Sequence, residues 1–294
     1  MSQLLVLLVL ILKWHLQMLL ERELEEMQEA QKTQQKPSSP NKISFSELKI
    51  WKECAYKHKL VYIDKLKGFQ GNEYTAFGSA IHYVCESLVQ DETADGLTIF
   101  KNKFIKEIKA LPSDLQINKK LILDMKNQGE NLIEYIIPAL KETFGQYEIV
   151  SIEEMLFEEM EFLQDDYNFK GFIDLVIKTP DGKYHVIDWK TCSWGWDMKK
   201  KSDPMVVYQL SYYKNFFAKK HNIDPDDIET YFALLKRTAK KNNIEIFKVT
   251  NGKKRLANAM DLLIKAVTHI NAKNFVKNKL SCNRCEFYKS SHCP

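Results

Sequence analysis

The chain has little of what would assign it at a glance. Six cysteines in 294 residues are too few for a disulfide scaffold. The apolar run Leu4–Leu12 is nine residues long, well short of the ~18 a bilayer span needs. Lys13, His15 and Gln17 then interrupt it. Neither a basic start nor a small-residue cleavage site accompanies that run, so it does not read as a signal peptide. It reads as an amphipathic or partner-binding segment, or as an extension without function. No internal repeat is visible, which sets solenoids aside. No G-x-x-x-x-G-K-[ST] loop occurs, so any strand unwinding has to come from a partner. Net charge is only +4, which by itself says little about partners.

What is present is patterned. Glu148 to Asp166 holds eight acids and no base, whereas Lys236 to Lys279 holds twelve bases and two acids. Such a basic stretch suits a phosphate backbone, or is simply a solvated lysine-rich face. "QEAQKTQQKPSSPNK", Gln28 to Lys42, is polar and lacks an apolar period, as a linker does. The expected organisation is an extension and linker over 1–40 and a folded domain over 41–294. Helical periodicity runs from Ser46, a candidate N-cap, to about Asp64, and again over Glu73–Gln90. Further helices reach about Thr143, with a break at Pro112. "YEIVSIEEMLFEE", "FKGFIDLVIK" and "YHVIDWKT" read as strands, the last two joined by the turn "TPDG". Pro204 opens another helix, two more strands follow, and a basic helix precedes the cysteine tail. This order predicts an α/β or α+β layer fold.

The turn-linked strands pose a chemical question. Asp188 and Lys190 are two residues apart and share a face, while Asp174 sits on the partner strand. Burying such charges separately costs several kcal/mol each. Gathered around a divalent cation they compensate, and carboxylate oxygens suit Mg²⁺ or Mn²⁺. Such an ion polarises a phosphoryl oxygen and acidifies bound water. A lysine beside it stabilises developing negative charge. That is the chemistry of phosphodiester hydrolysis, although a surface hairpin with an Asp–Lys pair would look the same. His82 and Glu86 lie one helical turn apart, and His82 is a further candidate ligand. Gln209 and Tyr213 have the same spacing.

In this order the pieces resemble the RecB-like branch of the PD-(D/E)XK nuclease superfamily. "GSAIHYVCE" matches G-x-x-x-H-x-x-x-E, "GFID" matches G-x-x-D, "DWK" matches D-x-K and "QLSYY" matches Q-x-x-x-Y. The opening "SFSELKIWKECAYKHKLVYIDKL" also resembles that branch, and the likeness covers about Lys42 to Cys293. It implies a restriction-endonuclease-like core: a central mixed sheet flanked by helices, with a helical insertion. It further implies that His82, Asp174, Asp188 and the Trp189 carbonyl bind Mg²⁺ or Mn²⁺ and that Lys190 orients the attacking water. Glu86, Gln209 and Tyr213 would line the site or contact DNA, and Gly171 would allow close approach.

The tail "SCNRCEFYKSSHCP" carries Cys282, Cys285 and Cys293. Three thiolates need a fourth ligand for a tetrahedral or cuboidal site. The tail resembles the iron–sulfur staple of CRISPR-associated and phage-type exonucleases, which implies Cys54 as fourth ligand and a four-iron, four-sulfur cluster. Ala55 stands where that subset has proline, and seven residues rather than about five separate the last two cysteines. His292 is an alternative ligand that would suit zinc, and uncommitted thiols are a third reading. Cys85 and Cys192 read as small packed residues. The expected function is a metal-dependent DNA exonuclease acting on single strands or ends, in recombination, replication or repair. It would be cytoplasmic, free of membranes and open to a helicase or recombination partner. The alternatives are a non-catalytic DNA-binding or assembly subunit and a structure-specific endonuclease.

Overall fold

A strand pairs its backbone laterally and alternates its side chains, so this sheet is most simply built outward from its most apolar strand. The computed structural model describes residues 41–161 and 167–294. The Leu4–Leu12 run, the linker up to Pro40 and the end of the acidic stretch lie outside the described residues. Residues 42–294 form one compact unit.

The long strand β3 (Tyr167–Lys178) is the spine. Strand β2 (Glu148–Glu159) pairs with it antiparallel along its length, with an irregularity between Ile149 and Ser151. Strand β4 (Tyr184–Cys192) folds back antiparallel, Leu175 opposite Ile187. Thr179 and Gly182, the latter at φ +86°, make the turn between them. Strand β5 (Ile228–Lys236) lies parallel to β4, and β6 (Ile244–Lys248) closes the sheet antiparallel to β5. A short strand the sequence did not announce, β1 (Asn41–Ser44), also pairs with β3. The polar Gln28–Lys42 stretch therefore yields to structure at Asn41.

Helices cover both faces, as a parallel crossover requires. Helix α1 (Phe45–Glu53) is capped by the Ser44 hydroxyl accepting from the Glu47 N–H at 3.2 Å, so Ser44 and not Ser46 is the N-cap. The expected single helix to Asp64 is interrupted. Cys54 is extended at φ −162°, α2 (Ala55–His58) follows, and a π turn spans Lys59–Ile63. Helix α3 (Glu73–Gln90) begins at Asn72, whose side chain accepts from Tyr74 and Thr75 in a capping box. The insertion comprises α4 (Gly96–Lys109), α5 (Lys119–Ile133) and α6 (Ile136–Phe144). The crossover contains α7 (Met198–Ser202) and α8 (Pro204–His221), and α9 (Lys253–Asn271) follows β6.

Two cores result. Leu48, Phe169, Val186, Tyr212, Phe216 and Leu263 fill one face. Phe77, Ile81, Phe100, Leu132, Leu175 and Trp189 fill the other. Helix α3 belongs to the second core, and α8 to the first. Pairing of β3 with β4 stops at Leu175 and Ile187, and Asp174 and Asp188 fall just beyond that point, where chemistry-bearing side chains meet. Among the described residues, no helix is long and apolar enough to cross a membrane.

Candidate active site

Alternation along β4 sends Ile187 and Trp189 into the core beneath α3, and Asp188 and Lys190 to the opposite side. Asp188 is only 1% exposed. Its Oδ2 forms an ion pair with the Lys190 ammonium but accepts no hydrogen bond. On the neighbouring strand Asp174 is 9% exposed, and its Oδ2 accepts the Trp189 N–H at 2.7 Å. His82 of α3 approaches the same oxygen, Nδ1 to Oδ2 at 3.6 Å. The Trp189 backbone also hydrogen-bonds His82 in the sense that favours the charged ring, which is a carbonyl accepting. The backbone of one residue of β4, through the two successive amides that flank it, thus touches both Asp174 and His82.

The electrostatics follow from burial. Asp174 is held well above the ordinary carboxylate range, first by burial and then by the Asp188 charge; Lys190 and the Trp189 N–H oppose this. His82 is pushed down to about 4 by burial and by the Lys190 ammonium. Its imidazole is therefore neutral at neutral pH, the state in which it can be a ligand.

Tyr213 and Gln209 of α8 reach the site from the other face. The Gln209 amide donates to the Tyr213 hydroxyl at 2.9 Å. Burial, and then the Asp188 charge, raise the phenol so that it stays protonated. The space left by Gly171 is taken by Tyr213: a Cβ there would stand 2.9 Å from the ring. Gly171 therefore admits a tyrosine.

Glu86 behaves differently. It hydrogen-bonds Glu153 of β2, and burial followed by the Glu153 charge raises it to about 7. Glu153 falls between Ile152, opposite Leu175, and Glu154, opposite Ile173, which sets it across from Asp174. Its φ of +50° lies in the left-handed region that non-glycine residues seldom adopt. Asp188 raises Glu153 electrostatically, so this pair borders the carboxylate centre. Glu153 was missed in the sequence: a glutamate in an alternating acidic strand gives no sign of a turned backbone. Lys49 of α1 was also missed. Burial and then the nearby Lys190 ammonium lower its pKa.

Among the described residues, no three His, Cys, Asp or Glu side chains are arranged as a finished metal site. The donor chemistry nevertheless fits a hard cation. Two buried carboxylates repel each other, one oxygen of Asp188 lacks a hydrogen bond, and a carbonyl and a neutral imidazole stand beside them.

The cysteines form a separate group. Cys54, Cys282, Cys285 and Cys293 all line one cavity of about 20 Å³. Cys54 accepts the Asn278 N–H at 3.3 Å, and burial raises the Cys285 thiol. His292 does not line that cavity, and its carbonyl accepts from the Tyr56 hydroxyl at 3.1 Å. The donor set fits a thiolate-bound metal, although the cavity as it stands admits about one water or ion. Cys85 is buried with the α3 core, and Cys192 packs against the other.

The model of the PD-(D/E)XK nuclease superfamily matches residues 42–293. The chain belongs to that superfamily. Among solved structures, the nuclease resembles a protein from Eubacterium rectale provisionally named an exonuclease. The two share 12% identity over 86% of this chain and 90% of that one, with a TM-score of 0.57, a likeness of fold. The protein SSO0001 aligns over 92% of each chain at 17% identity, with a TM-score of 0.39. No curated protein matches the sequence. The central mixed sheet flanked by helices is the fold expected of this superfamily.

Proposed function

We propose that this nuclease is a metal-dependent deoxyribonuclease that degrades DNA from ends or along single strands. The convergence of His82, Asp174, Asp188, the Trp189 backbone and Lys190 where β3 and β4 part carries the reading. Asp174, Asp188, His82 and the Trp189 carbonyl would hold a Mg²⁺ or Mn²⁺ ion. Such an ion polarises a phosphoryl oxygen and acidifies water. Lys190 orients the attacking water and meets the charge that develops on the phosphoryl oxygens. Tyr213, kept protonated and bonded to Gln209, donates toward the carboxylates or a substrate oxygen. Water attacks phosphorus, the P–O3′ bond breaks, and the products carry a 5′-phosphate and a 3′-hydroxyl.

The four cysteines support a second, structural metal centre joining the two ends of the domain. Soft thiolates suit zinc or iron–sulfur. Aerobic and anaerobic preparations distinguish them: a brown protein with visible thiolate-to-iron absorption contains a cluster, and a colourless one with stoichiometric zinc does not.

End-labelled linear and circular DNA, single- and double-stranded, tests the activity in Mg²⁺ or Mn²⁺. Degradation of linear but not circular substrate supports an exonuclease. Cutting of circles makes it an endonuclease. No cleavage of any DNA, with Asp188→Ala indistinguishable from wild type, defeats the reading.

A further inference from the structure

Two tryptophans flank Gly195 just beyond β4, and they are treated oppositely. Trp196 is packed: its ring lies 5.2 Å from Phe232 and 6.3 Å from Phe247. Trp194 is 72% exposed, and no ring among the described residues stacks on it. Gly195, at φ +118°, makes the bend, and a Cβ there would press on Lys236 at 3.2 Å. The loop is pinned as well as bent. The Arg237 N–H donates to the Cys192 carbonyl at 2.9 Å, and the Thr238 N–H and hydroxyl both bond the Ser193 carbonyl. An exposed ring on a fixed loop presents a flat face on which another ring can stack.

Its neighbours carry more positive than negative charge. Arg237 bonds only neutral partners, Gln128 Oε1 at 2.7 Å and Ser193 Oγ at 3.0 Å, and its guanidinium lies 5.4 Å from the Tyr74 ring. Lys200 sits over Trp196 at 4.8 Å. Lys201 and Lys236 share Glu245. The basic Lys236–Lys279 stretch is split by the fold. Lys236 and Arg237 lie beside Cys192, at the end of β4 that carries Lys190, while Lys248 pairs opposite Tyr231 toward the other end. Lys236 and Arg237 thus lie on the side of the candidate active site, and Lys248 does not. Three residues separate Lys190 from Trp194, four steps along the chain that span at most ~14 Å. That is about four stacked nucleotides at ~3.4 Å each.

We propose that this loop grips single-stranded DNA, Trp194 stacking on a base while Arg237 takes a neighbouring phosphate. The inference rests on the nuclease reading and adds a strand preference to it. Charge alone would suit a duplex equally. The exposed ring decides between them, because the base faces it would stack on are free in a single strand and hidden within a duplex.

The test uses the full chain with Ca²⁺ in place of Mg²⁺ and no chelator, and gel electrophoresis confirms that the labelled DNA stays intact. Fluorescence anisotropy measures its affinity for labelled oligothymidylate and for a blunt duplex of equal length. Trp194→Ala should weaken single-strand binding by roughly 5- to 150-fold and leave duplex binding almost unchanged. Trp194→Phe should keep most of the affinity but lose the oligothymidylate quenching of tryptophan emission. Equal losses on both substrates, or no loss on either, overturn the grip while the nuclease reading stands. Wild-type protein that binds neither DNA overturns both. Circular dichroism of each variant separates these outcomes from misfolding.

Discussion

The carboxylate centre and the cysteine tail are built on opposite principles. Asp174, Asp188 and His82 stand on two strands and a helix whose other faces fill the two cores, so packing fixes them whether or not an ion is bound. Beyond α9, residues 272–294 bury a single side chain, Phe287. They are held by polar links across the domain: Lys57 to Glu286 at 2.9 Å, Asn278 to the Glu53 carbonyl at 2.8 Å, and Tyr56 to the His292 carbonyl. A polar seam of that kind contributes little by itself. The centre therefore spends stability to place charge, whereas the tail is the region that a crosslink would stabilise. Loss of a ligand should separate chemistry from folding in one region and join them in the other.

The largest effect expected is on rate. Asp188→Ala and Lys190→Ala should each lower cleavage at least roughly 100-fold; melting temperature should change little for Asp188→Ala and fall for Lys190→Ala, which leaves the Asp188 carboxylate buried without its ion pair. A variant of either residue that cuts at the wild-type rate would remove it from the centre. Next comes Cys54→Ser, which opens a loop of more than 200 residues. If the four thiols share a metal, denaturant titration should show a loss of about 3–5 kcal/mol. Residual activity at low temperature should survive in proportion to the folded fraction. An unchanged midpoint would break the comparison, leaving the tail held by its polar seam alone.

Asp174→Asn should abolish cleavage and yet stabilise the metal-free protein, by about 1 kcal/mol at pH 8. The raised pKa means that folding prefers the protonated acid. The stability tied to that group is thus present at low pH and is lost as pH rises through the raised value, where the charge becomes a cost that Asn lacks. Mg²⁺ should raise the melting temperature of wild type and not of the variant. Glu86→Gln tests the bordering pair, with a smaller effect. Glu86 titrates near 7 in the folded protein and near 4.5 unfolded. Its contribution is therefore complete below about 4.5 and gone above about 7. The variant should flatten stability against pH in that window and gain about 1 kcal/mol at pH 8, discounted because the pair is half in water. A curve parallel to wild type would show that the two carboxyls do not share a proton.

The sequence made the β3–β4 hairpin legible because strand alternation and the "TPDG" turn are local. They set Asp188 with Lys190 and brought Asp174 near without knowledge of the rest. Helix α3 was readable to its last residue from periodicity alone. Contacts between distant segments were less so. Strand β1 is four residues long and hides in the end of a polar stretch. The break at Cys54 needs the 276–278 segment to receive its sulfur. Glu153 turns into the site through a left-handed backbone that no residue type announces. The basic stretch near the end looked like one surface, because charge counted along a chain ignores that β5 and β6 run in opposite directions.

The Trp189 peptide bears on what mutagenesis can detect. Its N–H meets Asp174, and its carbonyl faces His82. Every amino acid except proline carries both groups, so most replacements at 189 would leave them chemically intact. Substitution there would instead report on the indole wedged beneath α3, and a loss of function would be misread as a role for the ring. Replacing the amide by an ester through chemical ligation would delete the N–H and leave the side chain in place. The group at the centre of this site is thus nearly silent to genetics and open to synthesis.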